Sequence, residues 1–184
     1  MNITRLIPFV IVTLATPLIA SSGGTNDRQP PQHEMHGGTQ SSALVEQVRQ
    51  ATHSLRNVQR AMDAGYARFL GCVSGPQAGA MGIHYVNSAL VGDGELDVNH
   101  PEALIYEPRN GGLRLVGVEY VVLADAWHAQ HAEPPVLEGQ LLQYNGSPNR
   151  YGLPPFYEIH VWAWRANPVG AFADWNVRVS CDGR

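Results

Sequence analysis

Leu113-Arg-Leu-Val-Gly-Val-Glu119-Tyr-Val-Val-Leu-Ala124 is the most strand-like run of the chain. Leu115, Gly117, Val121 and Leu123 alternate with Val116, Val118, Tyr120 and Val122, so both faces of a strand here are apolar and both must be covered. Glu119 stands in its middle. An ionised carboxylate left unpaired in such a place costs several kcal/mol, so Glu119 demands a cation, a hydrogen-bond donor, a metal or a proton.

Just upstream, Glu107-Pro-Arg-Asn-Gly-Gly112 reads as a tight turn, because Asn-Gly supplies the positive φ angles that a two-residue hairpin loop requires. It predicts a hairpin between a strand at 103–106 and the long run. Further short apolar runs punctuated by Gly, Pro, Asn and Asp mark strands at 82–88 and 156–165, a weaker one at 136–144 and a last one at 177–181.

Before the strands, Leu44, Val48, Ala51, Leu55, Val58, Met62 and Tyr66 recur at steps of four and three, opposite Glu46, Arg49, His53, Arg56 and Arg60. This spacing predicts one long amphipathic helix with Ser42 as N-cap and Gly65 as its stop. The same spacing suits a coiled-coil seam, but without complementary charged flanks a helix laid on a sheet fits better. The fold class is therefore α+β: one long N-terminal amphipathic helix packed on a mostly antiparallel sheet, with long loops over the other face. The Pro-, Gly-, Asn- and Gln-rich stretch 125–155 is expected to supply that second cover and to roof a pocket.

Alternation divides Phe156-Tyr-Glu158-Ile-His160-Val-Trp162-Ala-Trp164 into a plain core face and a face bearing Glu158, His160, Trp162 and Trp164. His84, in Met81-Gly-Ile-His84-Tyr-Val-Asn87, has only Gly82 and Val86 as same-face neighbours. If His84, Glu119 and His160 project from separate strands onto one face, they form a two-histidine, one-carboxylate set suited to zinc with an open position or to non-haem iron. Without a metal, the same three form a hydrogen-bonded cluster in which a buried carboxylate tunes a histidine towards general-base work. Tyr106, Trp162 and Trp164 are the expected walls for a small ligand.

Other histidines carry weaker signals. His128 and His131 would share one side of a helical turn and add a ligand from the roof, though an exposed pair is the commoner outcome. His33-Glu-Met-His36 has a copper-like donor composition, set in a solvated linker. His100 precedes Pro101 in a turn. No serine or cysteine stands in a nucleophile elbow, which argues against triad hydrolysis.

Composition bounds compartment and partners. The chain has 184 residues, no lysine and a formal net charge of −4. It thus offers no basic patch to neutralise phosphates, and nucleic acid is a poor partner. Met1 to Arg5, an apolar stretch to Ala20 and Ser21-Ser22-Gly23-Gly24 have the three parts of a secretory signal peptide, with cleavage expected after Ala20 or Ser22. About fifteen apolar residues interrupted by Pro8 and Pro17 fall short of the roughly twenty that span a bilayer, so no membrane insertion is expected after cleavage. The expected division is a signal peptide at 1–22, a flexible tether at 23–41 and a single domain at 42–184. In an oxidising compartment Cys72 and Cys181 read as one disulfide, with reactive or metal-binding thiols as the alternative.

The segments Gly71-Cys-Val-Ser-Gly75, Met81-Gly-Ile-His-Tyr-Val-Asn87, Pro101-Glu-Ala-Leu-Ile-Tyr-Glu-Pro108, His160-Val-Trp-Ala-Trp164, Asn167-Pro-Val-Gly-Ala-Phe-Ala-Asp-Trp-Asn176 and Val179-Ser-Cys181 resemble those of a group of exported bacterial proteins without an assigned role. The resemblance implies export and a single domain, and no residue role.

These readings converge on an exported, periplasmic or extracellular domain that binds a divalent metal (zinc, iron or copper) or a small ligand at His84, Glu119 and His160. A metal-dependent or acid/base periplasmic enzyme acting on a small organic substrate is the second expectation. A cell-envelope interaction module using the aromatic face is the third.

Overall fold

The computed structural model describes residues 42–183, so the expected signal peptide and tether lie outside the described residues. The described chain mixes helix and sheet. In order it forms helix α1 (Ala43–Thr52), a 3-10 turn (Ser54–Arg56), α2 (Val58–Asp63), strands β1 (Ala67–Gly75) and β2 (Gly79–Val86), α3 (Ser88–Val91), β3 (Ala103–Arg109), β4 (Gly112–Leu123), α4 (Ala124–His128), β5 (Val136–Leu137), β6 (Gln140–Leu141), β7 (Gln143–Asn145) and β8 (Phe156–Val161). Six strands make one antiparallel sheet in the order β1-β2-β3-β4-β8-β7, and β5 pairs with β6 alone.

The long run becomes the twelve-residue β4, at an interior position of the sheet between β3 and β8. Its hairpin with β3 closes on the pair Arg109 and Gly112, leaving Asn110 and Gly111 as the loop, with Gly111 at φ 81°. That is the left-handed geometry an Asn-Gly turn provides.

The expected single long helix is broken into two. Ser42 caps α1 by accepting the Val45 N–H, as its position suggested. The heptad-like spacing then runs on past a break at 53–57. There Asn57 turns its side chain to accept the N–H groups of Gln59 and Arg60, starting a new helix, and the Tyr106 hydroxyl takes the Leu55 carbonyl. Local capping and a tertiary hydrogen bond outcompete helix continuation.

One face of the sheet carries Ile83, Tyr85, Leu104, Val118, Tyr120, Val122, Ile159 and Val161, packed with Leu44, Val45 and Val48 of α1 in the main core. Tyr106 belongs to this core, and Trp164 packs against it. The stretch 125–155 divides between the faces. Trp127, Leu137 and Leu142 join the helix-side core, whereas Tyr151 and Leu153 lie over the opposite face.

The C-terminal segment completes the cover of that opposite face. No strand forms at 177–181; instead Ala80 bridges to Asn176, Ser180 N–H donates to Glu107 Oε1 at 3.1 Å, and Cys72 is disulfide-bonded to Cys181. Glu107 is itself buried between Arg109 and Arg114. Among the described residues no helix is long and apolar enough to cross a membrane.

Candidate functional site

The face turned away from the helices carries the titratable residues. Sheet register sets Glu119 opposite His160 and opposite Ala103, while His84 stands opposite Ile105. His84, Glu119 and His160 each offer a donor atom, and the three atoms lie within 4.8 Å of one another. All three side chains are buried. The His84 Nε2 to Glu119 Oε2 distance is 3.4 Å, and the His84 and His160 rings meet edge to face at 5.9 Å.

Two glycines make room for this convergence. A Cβ at Gly117 would lie 2.8 Å from the Val161 carbonyl oxygen and 3.2 Å from the Trp162 ring. A Cβ at Gly82, where φ is 102°, would lie 2.8 Å from the Tyr106 carbonyl oxygen. Each glycine is two residues before a site residue and on the same face, so close strand approach is obtained beside His84 and Glu119 alike.

Alternation along the strand puts Glu158 on the face of His160, outside the expected ligand set. Its carboxyl neighbours that of Glu119, and its Oε1 accepts the Asn145 side-chain N–H at 2.8 Å. Asp174, from the C-terminal segment, carried no sequence signal, yet it forms a second donor group within 4.8 Å together with Glu158 and His160. Tyr151, also missed, approaches from the roof, its hydroxyl 3.6 Å from the Met81 sulfur.

Burial governs the electrostatics. It pushes the Glu119 carboxyl well above the usual carboxylate range, reinforced by the neighbouring Glu158 carboxyl. It lowers His84 to about 4, and it lowers His160 to about 3 with a further contribution from His84. Asp174 is raised by burial and then by Glu158. The tyrosine hydroxyl of residue 151 is pushed up to about 12, by burial first and then by the Glu119 and Glu158 charges. Burial thus opposes charge on both partners of the His84–Glu119 contact.

Three carboxyl groups thus share this region with two neutral imidazoles, and none of the ion pairs among the described residues brings an arginine to Glu119, Glu158 or Asp174. Both ring nitrogens of His160 and Oε2 of Glu158 are buried with no hydrogen-bond partner in the described structure. Native proteins seldom leave buried polar atoms so. Neutral imidazoles, carboxylates and unspent lone pairs are the donors a divalent ion takes.

The expected aromatic walls are corrected. Tyr106 lies under the helices with its hydroxyl on Leu55, because alternation along β3 sets it on the face of Leu104, opposite to Ala103 and Ile105, and its cross-strand partner on β2 is Ile83 of the main core. Trp164 points the same way: its indole N–H donates to Thr52 Oγ1 at 3.0 Å, and the Arg56 guanidinium sits 4.8 Å over its ring. The reason is that β8 ends at Val161, where Ala163 N–H bonds back to the Val161 carbonyl and ends the alternation. Trp162 does flank His160, its ring 6.0 Å away and tilted by 20°, but it is packed into a small core with Ala80, Ile105, Val116 and Val179. His128 bonds to Tyr157 and to the His131 carbonyl, and His131 stacks on Trp127, so neither joins the site. His100 pairs with Asp97.

Beside the cluster lies a cavity of about 360 Å³. His84, Glu119 and Glu158 form its polar floor, and Phe69, Val86, Val121, Leu123, Leu153 and Phe156 are among its walls. Comparison with protein-family models, curated proteins and solved structures found no match for the chain.

Proposed function

We propose that this chain is an exported domain that holds one divalent transition-metal ion through His84, Glu119 and His160. The observation that carries the reading is His160, buried with both ring nitrogens unpartnered, within 4.8 Å donor-to-donor of a second imidazole and a carboxyl group. Two imidazoles and one carboxylate suit zinc or ferrous iron, and three protein donors leave a position for an exogenous ligand. Depressed imidazole pKa values favour this use, since the ring nitrogens need not lose a proton before binding. Export is supported by the charged and apolar N-terminal sequence and by the Cys72–Cys181 disulfide, which belongs in an oxidising compartment.

Elemental analysis of tagless protein recovered from the periplasm tests the metal reading. The reading expects one equivalent of zinc or iron, lost in His84→Ala and His160→Ala. Metal-free wild-type protein that also fails to take up zinc or ferrous iron on reconstitution would overturn it.

A second reading is favoured by the two carboxyls, Glu119 and Glu158, that line the cavity together with His84. Two carboxyls beside His84 can serve as a metal-free acid/base pair facing the cavity. Metal-free protein with turnover lost in Glu158→Gln would favour it. The interaction-module expectation has less to stand on, since Trp162 is 2 % exposed and Trp164 is engaged by Thr52 and Arg56.

A further inference from the structure

The cavity next to the cluster has a lopsided chemistry. Its lining is mostly hydrocarbon; the buried polar groups on it are His84, Glu119 and Glu158, while Arg68 and Ser88 are exposed and Tyr151 is partly buried. Glu158 contributes an oxygen, Oε2, that is buried without a partner, while its Oε1 accepts the Asn145 side-chain N–H at 2.8 Å. On the part of the lining that β1 supplies, this strand departs from its register with β2 between Phe69 and Val73, and Leu70 sits in a left-handed conformation, φ 59°, with its side chain half exposed. Bulges of this kind recur at the rims of sites, and a leucine held at positive φ is a strained residue kept for a reason other than local comfort. The one cation lining the cavity among the described residues, Arg68, is exposed and donates its Nε–H to the Leu70 carbonyl at 3.2 Å.

We propose that this cavity binds a small neutral molecule with an apolar body and a single hydroxyl head, the head at the His84/Glu119/Glu158 floor and the body along the aliphatic walls. The inference rests on the metal reading above, because the head's oxygen is what fills the ion's open position. Charge selects the head. A carboxylate head would meet Glu119 and Glu158 with no arginine at the floor to compensate it. An ammonium head would meet the metal. A hydroxyl offers a lone pair to the ion and its proton to Glu158 Oε2, the one buried acceptor left unpaired there. A cavity of about 360 Å³ suits a body of roughly eight to ten carbons, at the small end of ligand pockets.

The test uses calorimetric titration of zinc-loaded full-length domain with 1-octanol, octanoate and octylammonium, zinc content being measured separately on each sample. The proposal expects 1-octanol to bind at one equivalent, at least tenfold tighter than either charged analogue. Leu153→Trp, which fills the cavity from the roof loop, should abolish binding with zinc retained, and Glu158→Leu should weaken it at least tenfold, also with zinc retained. Zinc-loaded protein that ignores 1-octanol, prefers octanoate, or binds equally in Leu153→Trp overturns this inference and leaves the metal reading standing. Protein that takes no zinc but binds octylammonium overturns both, the cationic head then occupying the place assigned to the ion.

Discussion

Glu119 and His160 are direct cross-strand partners, facing each other across the antiparallel pair β4–β8 with both side chains buried on the face away from the helices. Cross-strand neighbours on one face have Cβ atoms about 5 Å apart, which brings a carboxyl and an imidazole together without any loop contribution. His84 arrives from β2, two strands from β4, and reaches across because Gly117 and Gly82 add no bulk beside it. A site built on strands in this way is held by the sheet itself.

Gly117→Ala is expected to test that spacing. The added methyl would press on the Val161 carbonyl oxygen and on Trp162, and a strained or shifted β8 should cost about 1–3 kcal/mol. Urea unfolding should show the loss, and zinc affinity should fall with it, because His160 is next to the displaced backbone.

Tyr106→Phe and Trp164→Phe should behave oppositely. Each deletes a hydrogen bond on the helix side, to Leu55 or Thr52, so each should lower stability by about 1 kcal/mol. Zinc content should stay at the wild-type value in both. Loss of metal in either variant would restore these residues to the site.

Glu102 gives a pH prediction away from the cluster. It is buried, accepts the Val121 N–H, and burial raises its pKa from 4.5 to about 8. The folded state therefore holds this proton more tightly than the unfolded chain. Its contribution is complete below about 4.5, where both states are protonated, and is lost as pH rises through about 8, so stability should decline across that window. Glu102→Gln should flatten the decline in chemical unfolding measured at stepped pH. An unchanged slope would show that Glu102 is not its source.

The disulfide spans 109 residues, and closing a loop of that length contributes about 4–5 kcal/mol in the chain-entropy account. Replacing both cysteines by serine should lower stability by a few kcal/mol. Asn176 and Val179 should be the first to lose hydrogen-exchange protection, since the segment would then depend on the Ala80 bridge and Glu107.

Much of the site's placement was legible because a strand's side chains alternate. The apolar run around Glu119 announced a buried carboxylate, and parity put His84 and His160 on definable faces. The sequence did not reveal strand order, since β4 and β8 pair across more than thirty intervening residues with no local signal. Parity also fails where the strand stops: Trp164 was assigned to the site face by counting through Ala163, but β8 has ended by then. Tyr106 falls on the helix side because its cross-strand partner on β2 is Ile83, a pairing that the sequence around it does not reveal. The helix break at 53–57 was hidden because apolar spacing continued while Asn57 and Tyr106 redirected the backbone. Asp174 lay unannounced between Ala173 and Trp175, brought in by a segment whose position the disulfide and the Asn176 bridge fix.

The most direct test of the central claim is an anomalous difference map at the zinc edge from crystals of the zinc-loaded domain. The account predicts one strong peak about 2.0–2.2 Å from a ring nitrogen of His84, a ring nitrogen of His160 and an oxygen of Glu119. A clean map at those three residues, or zinc found only at His100, His128 or the N-terminal His33 and His36, would contradict it.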